Sequence, residues 1–272
     1  MLFVKILHIS SLAIYAASLV QYWNYFRSKS KSIGRISSSL LLFATLVHTI
    51  MLIVYSAKRG VLPLGQFAGA ATSFAWILAV FYLIQEYLLR EREFGAFITP
   101  VIILAQTMSV FFIDYTRPLA SVLQNVMFEI HVSAILIGYS SFTLGFIASV
   151  MYLLLFKDIQ GHRFGLFYSR LPSLEFLDKV NIRSINIGLI FLTTGILLGM
   201  FNAGIAWGFI WNWDPKLTVV LINWLIYIYL AISHLVFNWR GQRTAVISII
   251  GFTVVIFSFF IVTNFTSTIH TF

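Results

Sequence analysis

Histidine and tryptophan are the residues of this chain that could do chemistry, because it contains no cysteine. Thiol nucleophiles, disulfides and thiolate metal ligands are thereby excluded, so a redox-active group would have to be ligated by one of the six histidines. Three tryptophans, Trp207, Trp211 and Trp213, fall within seven residues and are followed directly by Asp214. Indole rings are broad and flat with one N–H donor each, so they suit either a membrane–water interface or the face of a large planar ligand.

These residues are carried by a chain with the composition of a membrane protein. Of the 272 residues, 60% are hydrophobic and only 10% are charged, and the mean hydropathy is +0.92. A soluble domain of this size could not cover its surface with polar groups. The sequence therefore predicts an all-α, polytopic helical membrane protein, and because no internal repeat stands out, a single integral-membrane domain over residues 1–272.

Eight apolar segments are long enough to be read as spans, of which the first is expected to be a retained span rather than a signal peptide. The segments are Leu2–Tyr25, Ile36–Tyr55, Gln66–Leu89, Ala96–Ile113, Val126–Phe156, Ile185–Phe201, Leu217–Phe237 and Ala245–Thr263. An even number of spans predicts that both termini lie on the same side of the membrane.

The distribution of Lys and Arg predicts the orientation. Thirteen of the eighteen basic residues fall in the connections after spans one, three, five and seven, which places those connections in the cytoplasm and the termini and the tryptophan segment outside. Topology also explains the formal charge of +9, so we do not expect nucleic-acid binding. Glu86 and Glu91, at the inner end of span three, are expected to face water.

The tryptophan segment resembles the W-G-x-x-W-x-W-D signature of the CcsA-type, haem-handling proteins of cytochrome c biogenesis. The similarity continues upstream in the glycine pattern of Gly188, Gly195 and Gly199, and downstream at Trp224 and Trp239. Two positions depart from the family pattern before the loop, where Val61 replaces a histidine and Gly69 a glutamate, and a third after it, where Leu217 replaces a glutamate. The resemblance covers the chain from about residue 55 to its end.

Two histidines are predicted on the same outer face as the tryptophan segment. His131 lies near the outer end of span five and His270 lies after span eight. Two neutral imidazoles on opposite sides of a porphyrin fill both axial positions of haem iron. The resemblance agrees, since family members carry outward-facing histidines in corresponding segments, and it implies that His131 and His270 ligate haem b.

Other residues of the outer face are expected to assist. The resemblance implies a haem platform formed by Trp207, Trp211, Trp213 and Asp214. Asp214 is also well placed to cap span seven, with Pro215 as its first residue. Lys216 and Arg117 are candidate contacts to the haem propionates, and the alternative for both is a solvated cation.

The remaining histidines are predicted deeper in the membrane or in the inner loop. His48, in span two, and His234, near the inner end of span seven, are candidates for an inner haem site of the kind the resemblance implies; a structural hydrogen-bond role is the alternative. No site is assigned to His8 or to His162 from the sequence.

The function implied by the resemblance is haem handling and presentation at the outer membrane face, for covalent attachment to an apocytochrome c. Expected partners are the apocytochrome and a second, CcsB/ResB-like subunit, in a bacterial cytoplasmic membrane or its thylakoid equivalent. The sequence does not decide whether the chain is an enzyme; at most it is part of a cytochrome c synthase. The alternatives are a HemX-type membrane regulator of haem synthesis, and a non-haem transporter with histidines in proton relay.

Overall fold

The structure, a computed structural model, describes residues 1–116, 125–208 and 215–257. All regular structure in these residues is helical, which confirms the predicted all-α class. Within these ranges, seven helices are long and apolar enough to cross a membrane, so the chain is a polytopic membrane protein. The eighth predicted span is represented by the shorter apolar helix Gln242–Phe257, and its last residues lie outside the described ranges.

The chain separates into two compact units, Met1–Gln124 and Asn125–Phe272. The first contains α1 (Leu2–Ser28), α2 (Lys31–Arg59), α3 (Phe67–Leu89) and α4 (Gly95–Phe112). Helix α1 packs against α2 and α4, and α3 packs against α2 and α4, so the four helices form a bundle. The prediction of one domain over the whole chain stays a prediction.

The second unit contains α5 (Val126–Gln160), the short α6 (Leu166–Arg170), α7 (Leu174–Trp207), α8 (Pro215–Phe237) and α9 (Gln242–Phe257). Helix α5 packs along α7 and against α9, and α8 packs against both α7 and α9. Helix α7 ends at Gly208, whose φ of 76° is a left-handed conformation that glycine adopts without steric cost. Helix α8 begins at Pro215, as predicted.

Small residues let α5 and α7 approach closely. A Cβ added at Gly138 would lie 3.1 Å from the carbonyl oxygen of Gly188, and one added at Gly188 would collide with the ring of Phe142. Phe142 in turn stacks on Tyr227 of α8, with ring centroids 3.6 Å apart. Because lipid gives helices no hydrophobic reason to associate, such close packing is what holds membrane helices together.

A polar stripe runs along the buried face of α1. Its buried residues recur every three or four positions, the spacing of one helix face: Val4, His8, Ser11, Tyr15, Ser18, Tyr22 and Phe26. Four of them bear a hydroxyl or imidazole that bonds within the unit, whereas the buried hydroxyl of Ser18 bonds to none of the described residues.

Glu86 is buried, so the expectation that it faces water is wrong. Its carboxylate accepts hydrogen bonds from Tyr22 (2.6 Å), Tyr82 (2.8 Å) and Ser38, and its second oxygen lies 3.4 Å from Arg92 Nε. A carboxylate can be buried at the end of a span when such donors replace its water. This cluster ties α1, α2 and α3 to the connection that follows α3.

Two glutamates in that connection interact with each other, and one of them is paired with Lys29. Glu93 is buried and is ion-paired with the Lys29 ammonium, while Glu91 is half-buried. Burial, together with the hydrogen bond to Glu93, raises the pKa of Glu91 to about 7. Burial alone would raise the pKa of Glu93 as well, but the hydrogen bonds from Glu91 and Lys29 outweigh it and hold that pKa below the usual range.

A pH dependence of stability follows from Glu91. Its folded-state pKa lies above the ordinary glutamate value of 4.5, so its stabilising contribution is complete below about pH 4.5 and is lost as the pH rises through about 7. We expect Glu91→Gln, which mimics the protonated acid, to flatten the fall in melting temperature between pH 5 and pH 8. Thermal unfolding in detergent measures this, with the exposed Glu175→Gln as control. An unchanged slope in Glu91→Gln would contradict the assignment.

Candidate haem site

The imidazole of His131 is held against α7 at the end where α5 begins and α7 ends. Its Nδ1 lies 2.7 Å from the carbonyl oxygen of Gly195, and the ring lies over Gly199, where an added Cβ would be 2.5 Å from Cε1. Asn125 caps α5 by accepting from the N–H of Met127 at 2.9 Å. The cap fixes the start of the helix that carries the histidine.

The contact between His131 Nδ1 and the Gly195 carbonyl oxygen determines the tautomer of His131. A carbonyl oxygen can only accept, so Nδ1 must carry the proton, and in the neutral ring the lone pair is on Nε2. A histidine whose Nδ1–H is bound to a carbonyl is the usual arrangement of a metal-ligating imidazole, because the bond fixes both the ring orientation and the ligating nitrogen. The His131 site therefore has the donor chemistry that haem iron requires.

The position of His131 relates it to the tryptophan segment. Gly199 lies eight residues before Trp207, which is about 12 Å along α7. Trp207 belongs to the last turn of that helix, and α8 begins eight residues later at Pro215. Within the second unit, His131 and the connection between α7 and α8 thus lie at the same end.

The other residues predicted at this face fall at the edges of the described ranges or outside them. Outside the described residues lie Arg117, Trp211, Trp213, Asp214 and His270. Trp207 and Lys216 are in helices whose side chains at those positions are not described. Among the described residues, no group of three or more His, Asp or Glu side chains is arranged to hold a metal ion, so the ligand chemistry there rests on single imidazoles.

His234 lies at the opposite end of the second unit. Its Nδ1 is 2.9 Å from the carbonyl oxygen of Trp239, so this ring too carries its proton on Nδ1 and its lone pair on Nε2. The Trp239 ring makes an edge contact with Tyr229 and has the Arg243 guanidinium 5.8 Å from its centroid. Asp178 fixes the turn by accepting from the N–H of Gly241 at 2.8 Å.

His48 is fully buried in the first unit and uses both ring nitrogens. Nε2 lies 2.8 Å from the Thr72 hydroxyl and Nδ1 lies 3.2 Å from that of Tyr15. His8, to which the sequence assigned no site, joins the same network: its Nε2 is 3.3 Å from the Thr72 hydroxyl and its Nδ1 is 2.7 Å from that of Tyr115. Iron ligation by His48 would require one of its bonds to be given up.

The protons of this network can be assigned from Thr72. Its single hydroxyl proton goes to Gln106 Oε1 at 2.9 Å, so its oxygen must accept from both imidazoles. Each ring is then protonated on Nε2 and accepts at Nδ1 from a tyrosine. Burial raises the pKa of Tyr115 to about 12, which keeps that phenol a donor. His8 and His48 therefore share one tautomer, and His131 and His234 share the other.

No simple sequence signal predicted this network. Thr72, Gln106 and His8 are on three different helices with no common motif. The usable sign was that His8 and Tyr15 lie on the same face of α1, at a spacing of seven residues.

Residues 64–270 match the cytochrome c assembly protein family. The chain belongs to this family. It is similar to the cytochrome c biogenesis protein CcsA of Chlamydomonas reinhardtii, with 31% identity over 240 residues that cover 85% of this chain and 65% of the relative. It is also similar to CcsA of Guillardia theta, with 28% identity over 258 residues covering 88% and 86% of the two chains, and to CcsA of Mesostigma viride at 26% identity. The chain thus spans just under two thirds of the Chlamydomonas protein.

Some histidines of the chain lie inside the region that matches the cytochrome c assembly family, and others precede it. His131, His234 and His270 lie within it, whereas His8 and His48, on α1 and α2, precede it. The two rings with a lone pair on Nε2 are therefore in the family region, and the two rings that donate through Nε2 are in the part of the chain before it.

The absence of a side chain at Gly199 should be essential for the packing of the His131 ring against α7. We expect Gly199→Ala to displace the imidazole and to lower the melting temperature. The free energy of unfolding should fall by about 1–3 kcal/mol, because the added methyl group overpacks the site. Gly165→Ala is the control, because an added Cβ there meets nothing within 4 Å. The loss should vanish in the His131→Ala background; a loss of the same size there would show that His131 is not the group displaced.

Thr72→Val should destabilise the first unit. Valine has the shape of threonine but leaves two imidazole N–H groups and the Gln106 carbonyl without partners, at about 1–3 kcal/mol for each buried group. Thermal unfolding in detergent measures the loss. Thr253→Val is the control, since that hydroxyl is exposed and bonds only to its own helix at Ile249. Equal melting temperatures for the two variants would be incompatible with the network.

Proposed function

We propose that this protein handles haem during cytochrome c biogenesis, binding it at the end of the second unit where α7 and α8 connect. Membership of the cytochrome c assembly family supports a role in cytochrome c biogenesis. The observation that carries the haem site is the seat of His131, whose Nδ1–H is bound to the Gly195 carbonyl so that Nε2 is the ligating nitrogen. When bound, haem offers an iron that this nitrogen can ligate, and vinyl groups to which thiols can add.

His270 is proposed as the second axial ligand, and Trp207, Trp211, Trp213 and Asp214 as the platform against the porphyrin face. The position of His131, about 12 Å along α7 from Trp207, supports this arrangement. The proposed cofactor is haem b, held by ligation and packing. Lys216 and Arg117 are proposed as cationic contacts to its carboxylates.

A second haem position is proposed at His234. Its imidazole is oriented by the Trp239 carbonyl in the same way that His131 is oriented by the Gly195 carbonyl, and the ring of the same Trp239 contacts Tyr229 and the Arg243 guanidinium. For His48 we favour the alternative, a structural hydrogen-bond role, because both of its ring nitrogens already make hydrogen bonds within the first unit.

The chain has no cysteine, so its proposed part is to position and protect haem rather than to form bonds with its own side chains. An apocytochrome c would supply the thiols, and a second membrane subunit, CcsB/ResB-like, is the proposed partner. We propose a bacterial cytoplasmic membrane or a thylakoid membrane as the location, with the tryptophan segment facing outward as the Lys and Arg distribution indicates.

The hydrogen bonds of the histidines bear on the two alternative functions, a non-haem transporter and a HemX-type regulator. A transporter with a histidine proton relay is disfavoured, because both imidazoles of the first unit donate to the same Thr72 oxygen and so do not form a continuous donor-to-acceptor chain. A HemX-type regulator would not need a seated axial ligand. The geometry at Gly195 and Gly199 therefore favours haem presentation.

The proposal predicts that His131→Gly opens an axial position on the iron. Wild-type protein purified from haem-replete cells should be red with a six-coordinate spectrum. The His131→Gly protein should show five-coordinate or weakly bound haem, and added imidazole should restore the six-coordinate spectrum. His162→Gly, in the connection before α6, is the control. A six-coordinate spectrum in His131→Gly without imidazole would reject His131 as a ligand.

A further inference from the structure

Asn202 lies on the face of α7 that holds His131. It follows Gly195 by seven residues and Gly199 by three, and at about 100° per residue these three positions project from one side of the helix. The rise from Gly199 to Asn202 is about 4.5 Å toward the end of α7. Asn202 is thus about one turn beyond the His131 ring, on the side of the tryptophan segment.

The amide nitrogen of Asn202 is buried and donates to no described residue. The packing of α5 on α7 explains why. These helices run antiparallel, with His131 at Gly199 and Ile135 at Gly195, so the same register sets Asn202 level with the first turn of α5. The backbone groups left over at the start of a helix are N–H donors, so the backbone of that turn offers the amide no acceptor.

We propose that Asn202 donates a hydrogen bond from Nδ2 to a carboxylate of the haem bound at His131, an inference that rests on the function proposed above. An unsatisfied buried donor is destabilising by itself, and a donor-only group is complemented by an acceptor. The strong acceptors of haem, apart from groups on the iron, are its two propionate carboxylates. They project from the porphyrin edge, and Asn202 is displaced from the ligating ring rather than facing it directly.

A hydrogen bond to a carboxylate fixes the rotation of the porphyrin about the bond from iron to His131. An axial ligand alone leaves that rotation free, and the vinyl groups would then have no defined position for an incoming thiol. A neutral amide complements the cationic contacts proposed for Lys216 and Arg117, because it fixes the direction of a carboxylate that those cations attract by charge. Asn202 is therefore a positioning residue of the haem site.

The test compares haem with haem dimethyl ester, in which the carboxylates have lost their charge. Affinities of both for the purified full-length protein are measured by optical titration. The wild type should prefer haem to the ester. In Asn202→Leu this preference should shrink by about tenfold, as expected for loss of one charge-assisted hydrogen bond. In Asn202→Asp the preference should reverse, because a carboxylate at this position repels free haem but not the ester.

Thr194→Val is the matched control: it lies on α7 too, but on the exposed side, where its hydroxyl bonds to the Ile190 carbonyl. Its preference for haem should equal that of the wild type. A wild-type preference in Asn202→Leu would overturn the proposal and leave Asn202 as a site for water alone. If Asn202→Asp does not insert, the leucine variant decides. Failure of the wild type to bind either compound would instead overturn the proposed haem function.

Discussion

A polar group inside a membrane-spanning helix must find its partner within the protein, because lipid offers none. This constraint decides where the histidines of the chain bond and what each can do. His131 satisfies one nitrogen with the Gly195 carbonyl, an atom that is also part of α7. The bond requires α5 and α7 to approach closely, and the glycines at 195 and 199 make that approach sterically feasible. The contact therefore joins helix packing to ligand orientation in one place.

The same constraint explains why the histidines of one chain differ in chemistry. A backbone carbonyl forces the proton onto Nδ1 and leaves Nε2 as a lone pair, as in His131 and His234. A hydroxyl whose own proton is used elsewhere forces the imidazole to donate, as Thr72 does to His8 and His48. The partner's chemistry thus separates candidate ligands from structural histidines, and burial follows the same division, since His8 and His48 are buried and His131 and His234 are half-buried. In the second group a metal would compete with bonds that hold α1, α2 and α3 together.

Much of the fold could be predicted from sequence, because apolar runs of sufficient length determine where helices lie. The predicted and observed starts of span five agree at Val126. Helix α7 was underestimated, since Leu174–Trp207 replaces the predicted Ile185–Phe201. The extra turns contain Asp178 and Asn181, which are paired with the Gly241 N–H and the Ser248 hydroxyl. Glu86 was misjudged for the same reason: hydropathy registers a charge, but not the hydroxyls of Tyr22 and Tyr82 that accommodate it.

The candidate site was predictable only as far as its motif reached. Resemblance singled out His131, but not the tautomer, which depends on a carbonyl 64 positions along the chain. It also said nothing about Asn202, whose importance arises from an antiparallel register that leaves its amide opposite helix N–H groups. Both features follow from the pairing of α5 with α7, so a substitution that shifts this pairing should alter ligand orientation and carboxylate recognition together. In the proposed haem site, helix packing therefore sets the position of the ligand, and the motif residues are proposed to act on a ligand already held there.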